Sequence, residues 1–449
     1  MRSRTFLLLP LVVLASFIPS SRRCAGAQGW TGIGIVDSSA VARRAWGAAV
    51  KATRENDVAL ADREVQRAAT AWPTQAAYVW ARAVMGAQRG ESAAIEGALR
   101  TYADLGLGRD IRKEASFATM RKQLWFESLA RRHDANRRTI SHSKVEATLV
   151  DSTLWPEGVT YNPRTGSYYI ASVRHRTIVE RAPNGREREL WPRHRRGIGA
   201  ILGVRVDPGG EYVWATTSGI PQMEGFTPDD STIAGLLKVR IADGVIVGWW
   251  KPGGAVTKHN FGDLAVGPDG DVFMTDSESP VLYRLRPETD SLEPMRHPLF
   301  RSLQGVAPSV DGRMLFVADY SHGLLRIDLA TGEVTRITDA PLSTSLGCDG
   351  IVVFGNSIVA VQNGVAPARV MQFFLNGDGT RIVKAEVIDR NADIADEPTI
   401  GTIVGNRFVY VANSQWDKHD GAGMTRAGAR LLRPVLLSLP LKSRADAKE

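Results

Sequence analysis

Two acids stand at matching places in a recurring pattern of this 449-residue chain: "EGV" begins at 157 and "DGI" at 349, each opening a run of alternating apolar residues. Four other runs open similarly, "LGVRVDPGGEYVWATT" at 202, "GDLAVGPDGDVFMTDS" at 262, "QGVAPSVDGRMLFVADY" at 304 and "TIGTIVGNRFVYVAN" at 399. The copies therefore start on Glu157, Leu202, Gly262, Gln304, Asp349 and Thr399, and the following strand of each ends on Ser172, Thr216, Asp276, Asp319, Asn363 and Asn413. Antiparallel neighbours put the start of one strand beside the end of the next, so both sets share one rim. Carboxylates and carboxamides gathered there are the oxygen-rich set a hard divalent cation such as calcium prefers. Without a cation the acids repel and raise one another's pKa. Glu157 and Asp349, at strand starts, read as facing a channel. Asp276 and Asp319, each followed by a turn, read as holding turn amides.

Such residues need a scaffold that brings six strand starts together. The copies lie 45, 60, 42, 45 and 50 residues apart, the length of a four-stranded propeller blade, and several continue into a third run such as "GLLRIDLATGEV" or "VLYRLRPETD". The spacing predicts a mainly β chain, a six-bladed β-propeller over 141–441, with "KVEATLVDS" and "PVLLSLPL" sharing one blade to close the ring. Residues 37–140 have the helical period instead and are rich in alanine. They predict an α-helical hairpin domain in which Pro73 starts one helix, Gly90 ends it, and Ala81, Ala83, Ala93 and Ala98 let helices approach closely. This segment resembles a degenerate tetratricopeptide array. Residues 442–449 read as a flexible tail.

The first 27 residues have a basic start, an apolar run from Phe6 to Pro19 and Ala25-Gly26-Ala27 before Gln28, the pattern of a cleaved secretory signal. Cleavage would remove Cys24 and leave Cys348 alone, so no internal disulfide could form, and a periplasmic or secreted protein is expected. Loss of Arg2, Arg4, Arg22 and Arg23 lowers the formal charge of +8 by four, to +4. With "RHR" at 174 and "RHRR" at 193 outside any aromatic-studded module, this argues against a nucleic-acid partner. Nor is any later run apolar enough to predict a membrane span once the signal is gone. No "GxSxG" elbow occurs and Cys348 has no evident base, which argues against a serine or cysteine nucleophile. "GIGAILG" at 197 has the wrong spacing for a dinucleotide loop.

The six copies, the "GDLAVGPDGDVFMTDS" blade, "VADYSHGLLRIDL" and the "EGV" and "DGI" openings resemble the senescence marker protein/gluconolactonase family, which includes regucalcin. The resemblance implies a divalent cation at the channel mouth on a Glu, two Asn and an Asp, and hydrolysis of a lactone or ester. By position the Glu is Glu157 and the Asp is Asp349, the latter implied to be catalytic in activating water. The two Asn positions fall on Gly262 and Gln304. Gln304 still offers an amide oxygen, one methylene longer, whereas Gly262 offers nothing. Asn260 or Asp263 would replace it only with a shifted backbone, and Asp263 should point to the other face of its strand. The expected metal set is Glu157, Gln304, Asp349 and Asn413, completed by water. "DEPTIGT" and "VANSQW" place Glu397, Thr399, Asn413 and Trp416 around the sixth blade. Asn363, Thr399, His322 and Trp416 are the expected substrate contacts, with His259 a further loop candidate. Trp416 can stack on a sugar or a flat lactone, or cap the core between blades. The partner is then a small lactone, ester or sugar, with the helical hairpins free to take a protein. The alternative is a non-catalytic platform binding a sugar, peptide or protein. Loss of two family ligands favours that alternative; retention of Glu157 and Asp349 favours the hydrolase.

Overall fold

The structure is a computed structural model that describes residues 33–34, 39–254 and 258–442. The secretory-signal reading of 1–27, Cys24 and residues 443–449 lie outside the described residues.

Period-two alternation over residues 144–440 gives six sheets, each containing a four-stranded blade. Their innermost strands are Pro156–Asn162, Ala200–Val206, Phe261–Val266, Leu303–Pro308, Cys348–Phe354 and Gly401–Val404, and we number the blades 1 to 6 in that order. Each innermost strand packs on the next, and Gly401–Val404 packs back on Pro156–Asn162, closing the ring at six. Blade 6 is assembled from both ends of the propeller: Lys144–Thr148 pairs antiparallel with Val435–Pro440 as its outermost strand. This is the closure expected from the sequence, and it ties the two ends of the ring together with backbone hydrogen bonds. Apolar faces of adjacent blades fill the space between sheets, as where Phe273 and Met295 of blade 3 meet Val306, Val317 and Leu325 of blade 4. Fully burying each such side chain contributes about 1.5–3 kcal/mol.

What aims side chains into the channel is a bulge in the innermost strand of blades 1 to 5. In blade 1 the pairs Pro156↔Ser172 and Val159↔Ile170 leave Glu157 and Gly158 opposite one residue. The same shift falls on Leu202 and Gly203, on Gly262 and Asp263, on Gln304 and Gly305, and on Asp349 and Gly350. A bulge kinks its strand and re-aims the extra residue. The glycine in each "X-Gly" opening is required by close approach of the next blade: a Cβ on Gly158 would lie 2.5 Å from the Leu202 carbonyl oxygen, and one on Gly305 only 2.4 Å from that of Asp349. Gly305→Ala should therefore push on the strand that carries Asp349, costing ~1–3 kcal/mol, read as a lower denaturation midpoint. An unchanged midpoint would show that the ring has slack there.

Among the described residues five α-helices precede the ring: α1 (Ser39–Arg54), α2 (Val58–Ala71), α3 (Ala76–Arg89), α4 (Ser92–Asp104) and α5 (Leu124–Arg137). α1 packs on α2 and α3 on α4 as hairpins. Gly90 ends α3 in the left-handed conformation at φ 72°, as the sequence predicts, while α3 begins three residues after Pro73. The helices dock on the loops of blades 4 and 5. Leu346 packs with Trp72 and Tyr78, and the Gly108 amide donates to the Ala366 carbonyl at 3.0 Å. Buried Arg369 donates to Leu105 and Gly106 just past α4, and Arg390 to Ala135 and Arg138 at the end of α5. A guanidinium at a helix C-terminus satisfies carbonyls that lack helical partners and faces the negative end of the dipole.

Candidate functional site

A cavity of about 660 Å³ is lined by opening residues of several innermost strands, among them Glu157, Leu202, Gly262, Gln304 and Asp349. Its wall includes Glu157, Asn260, Gly262, Asp263, Gln304, Tyr320, Asp349, Asn363, Glu397 and Trp416. The structure therefore brings together Glu157, Gln304, Asp349, Asn363 and Trp416 from the expected set.

Glu157 is 8 % exposed, and its Oε2 accepts a 2.7 Å hydrogen bond from Trp416 Nε1. Burial, then the charge of Asp349, drives its pKa well above the usual carboxylate range, against the Trp416 bond. Asp349 is held by Asn363, whose Nδ2 donates to Asp349 Oδ2 at 2.8 Å and to the Pro398 carbonyl at 3.0 Å. The Asn363 Oδ1 in turn accepts from the Tyr320 hydroxyl at 3.2 Å, which fixes the orientation of the amide. Burial pushes Asp349 up to about 6, the Asn363 bond opposes the rise and the charge of Asp263 adds to it. Asn363 is thus a clamp on the acid, with its polar atoms spent inside the protein.

In blade 3 the order is Gly-Asp where blades 1, 2, 4 and 5 have X-Gly, and the consequences are visible. Asp263 was expected to turn away, but the bulge leaves it on the cavity wall, where its Oδ2 pairs with Arg205 Nη2 of blade 2 at 3.2 Å. Gly262 leaves room that Gln304 partly fills: a Cβ on Gly262 would lie 3.7 Å from Gln304 Oε1. Asn260 Oδ1 is buried with no hydrogen-bond partner. Among the described residues no three His, Cys, Asp or Glu side chains converge on a metal position. The donor chemistry nonetheless suits a hard cation: a buried acid and a half-buried one, an amide oxygen on Gln304 and an orphaned one on Asn260.

Three expected contacts are occupied elsewhere. Asn413 is not a cation ligand, because Nδ2 donates to the Arg433 carbonyl and Oδ1 accepts from the Val435 amide, 3.1 and 2.7 Å away. Thr399 reaches the cavity wall but spends its hydroxyl on the Glu157 carbonyl at 2.7 Å. His322 never reaches the mouth: it is fully buried against α1, in contact with Ser39 and Arg43, and burial followed by the Arg43 charge holds its pKa down to about 2. His259 is bonded to Asp276 at 2.6 Å. Asp276 and Asp319 hold loop amides, from Asn260, Glu278 and Ser279 in one case and Arg301, Ser302 and Ser321 in the other.

Sequence reasoning assigned no role to Tyr320 or Arg205. Tyr320 follows the strand-end Asp319 directly, so the end-of-strand pattern extended by one residue would have found it. Arg205 carries no comparable signal, since its partner Asp263 is 58 residues away and faces it only because of a bulge.

No family model matches the sequence, and no curated protein matches it. Among solved structures, a gluconolactonase from Xanthomonas campestris is similar in fold at 16 % identity, covering 68 % of this chain and 96 % of that one with a TM-score of 0.44. The calcium-binding protein regucalcin from Agrobacterium tumefaciens aligns at 16 % identity over 66 % and 94 %, with a TM-score of 0.45. A virginiamycin B lyase from Staphylococcus aureus aligns at 14 % over 67 % and 100 %, with a TM-score of 0.41. At such values the likeness is one of architecture, and what this chain does must be argued from its own residues.

Proposed function

We propose that the protein is an exported hydrolase that opens a lactone or cleaves an ester at the channel mouth, assisted by a divalent cation. One observation carries the reading: Glu157 of blade 1, buried, and Asp349 of blade 5, half-buried, line one cavity, each tied by a single side-chain donor. Among the described residues neither Glu157 Oε1 nor Asp349 Oδ1 has a hydrogen-bond partner. Two acids that share a cavity, the charge of one raising the pKa of the other, weaken the fold unless they serve a ligand.

Glu157, Asp349, Gln304 and Asn260 would hold the cation, which when bound polarises an acyl carbonyl and acidifies water. The chain's own part is positional. Asp349, aimed by Asn363 and Tyr320, accepts the proton of the attacking water, and a base whose pKa lies near the working pH does this best. Trp416, half-buried beside Glu157, offers an indole wall for a flat acyl group. Export rests on the signal pattern in residues 1–27.

Calcium, manganese or zinc added to metal-stripped protein should raise the melting point, since a ligand at 100 times its Kd contributes about 2.7 kcal/mol to the folded state. The same protein should turn over members of a lactone and ester panel. No shift with any cation together with no turnover would replace this reading by the non-catalytic platform.

A further inference from the structure

Glu397 is one of the cavity acids that the mechanism above leaves unused. It lies in the loop before the innermost strand of blade 6, at φ 56°, a left-handed conformation that costs a non-glycine residue of order 1 kcal/mol or more. Ser414 holds it there twice, its amide and its hydroxyl both donating to the Glu397 carbonyl, at 3.2 and 2.9 Å. Two neighbours share the unusual backbone, Trp155 at φ 49° and Gln415 at φ 68°. Strain over-determined in this way is a mark of functional loops.

The loop around Glu397 is tied to the residues that hold both acids of the site. On one side Pro398, the next residue, accepts the Asn363 Nδ2 that also holds Asp349. On the other, Glu397 Oε2 accepts the Asp417 amide at 2.7 Å, and the residue before Asp417 is the Trp416 that holds Glu157. Glu397 lines the same cavity, and its charge acts on Glu157. Burial, opposed by the Asp417 amide and aided by the charges of Asp417 and Asp396, pushes it up to about 7. Lys418, bonded to Asp396 and Asp417 at 2.8 Å each, is the cation on the outer side of this loop.

Resting on the hydrolase reading, we propose that Glu397 is the catalytic proton donor to the leaving oxygen. Water's oxygen bonds to the acyl carbon as Asp349 takes its proton; the acyl carbon–oxygen bond breaks, and the departing oxygen takes the proton of Glu397. The products are an acid and an alcohol. The proton on Asp349 returns to Glu397 through solvent, so both carboxyls regain their starting states. This division of labour needs one acid ionised and a nearby one still protonated.

The test compares ethyl butyrate with 4-nitrophenyl butyrate, which share an acyl group and differ in how much help the leaving oxygen needs. General acid catalysis is worth typically 10²–10⁴-fold. Glu397→Gln keeps an acceptor for the Asp417 amide and removes an acid whose pKa is raised by folding, so its melting point should not fall below the wild-type value. Its kcat on the ethyl ester should fall by ~100-fold or more and on the nitrophenyl ester by less than about threefold. The alkaline limb of the wild-type pH profile for the ethyl ester should vanish in the variant. Equal losses on both esters, or none on either, would overturn the assignment while leaving the hydrolase reading in place. Wild-type protein inert toward both esters and the lactone panel would overturn both together.

Discussion

Asp349→Asn should slow turnover by ~10²–10⁴-fold, the range a lost general base produces, while making the metal-free protein more stable at neutral pH. The two effects share one cause. Asp349 is half-buried in the same cavity as Glu157, and its folded-state pKa of about 6 lies above the ordinary 3.8. Between those values the folded chain holds more protons than the unfolded one. Stability is therefore highest below pH 4 as far as this group is concerned, and it falls as pH rises through 6. A rise of that size corresponds to a penalty of roughly 3 kcal/mol above pH 6. An asparagine escapes it, still accepts from Asn363, and relieves Glu157 of the charge that helps to raise its own pKa. Denaturant melts in chelator from pH 4 to 8 should show wild type declining and the variant nearly level. A variant less stable than wild type at pH 7.5 would mean that Asp349 is anchored by favourable partners and is not a strained acid. Full activity in the variant would remove it from the chemistry.

That combination was partly readable in advance, because a repeat copies its geometry with its sequence. Six openings at blade-length spacing were enough to put Glu157 and Asp349 on one rim, and at the glycine that follows each a Cβ would lie 2.5 Å (Gly158) or 2.7 Å (Gly350) from the next blade's backbone. Ring closure by Lys144–Thr148 was legible for the same reason, since blade 6 lacked an outer strand and one was left over. What could not be read was how each rim residue spends its polar atoms. Asn363 and Asn413 occupy equivalent strand ends, yet one clamps Asp349 on the neighbouring strand of its own blade and the other ties the loop at Arg433 and Val435. The difference lies in which backbone groups the loops leave unpaired, and loops carry no period. His322 failed differently. A histidine after "DYS" reads as a loop residue at the mouth, but α1, some 280 residues earlier, covers it. Nothing within a blade announces where a separate helical region will dock.

Arg205→Met is the substitution expected to cost most in stability. Arg205 and Asp263 come from neighbouring blades, their side chains 13 % and 1 % exposed, and they meet at 3.2 Å below the mouth. Burial alone pushes Asp263 above the ordinary carboxylate range, and the Arg205 charge is the largest force opposing it. Removing one partner of a buried pair typically costs 3–5 kcal/mol, because the other charge is left without compensation. The loss should be greatest at high pH and shrink on acidification, since an unpaired Asp263 raised still further above its unfolded value loses folded-state stability as pH climbs through its pKa. Arg205→Met with Asp263→Leu should recover most of the loss, as an apolar pair of similar volume often matches a buried ion pair. The pair also reaches the chemistry. The charge of Asp263 is felt by both Glu157 and Asp349 and raises each. With Arg205 gone and Asp263 still ionised, the acid limb of the pH–rate profile should move to higher pH; in the double variant it should move below wild type. A single variant that loses under 1 kcal/mol, with an unmoved acid limb, would mean that solvent screens the pair. The Gly-Asp inversion of blade 3 would then be a local peculiarity, without the electrostatic hold on the mouth that its position implies.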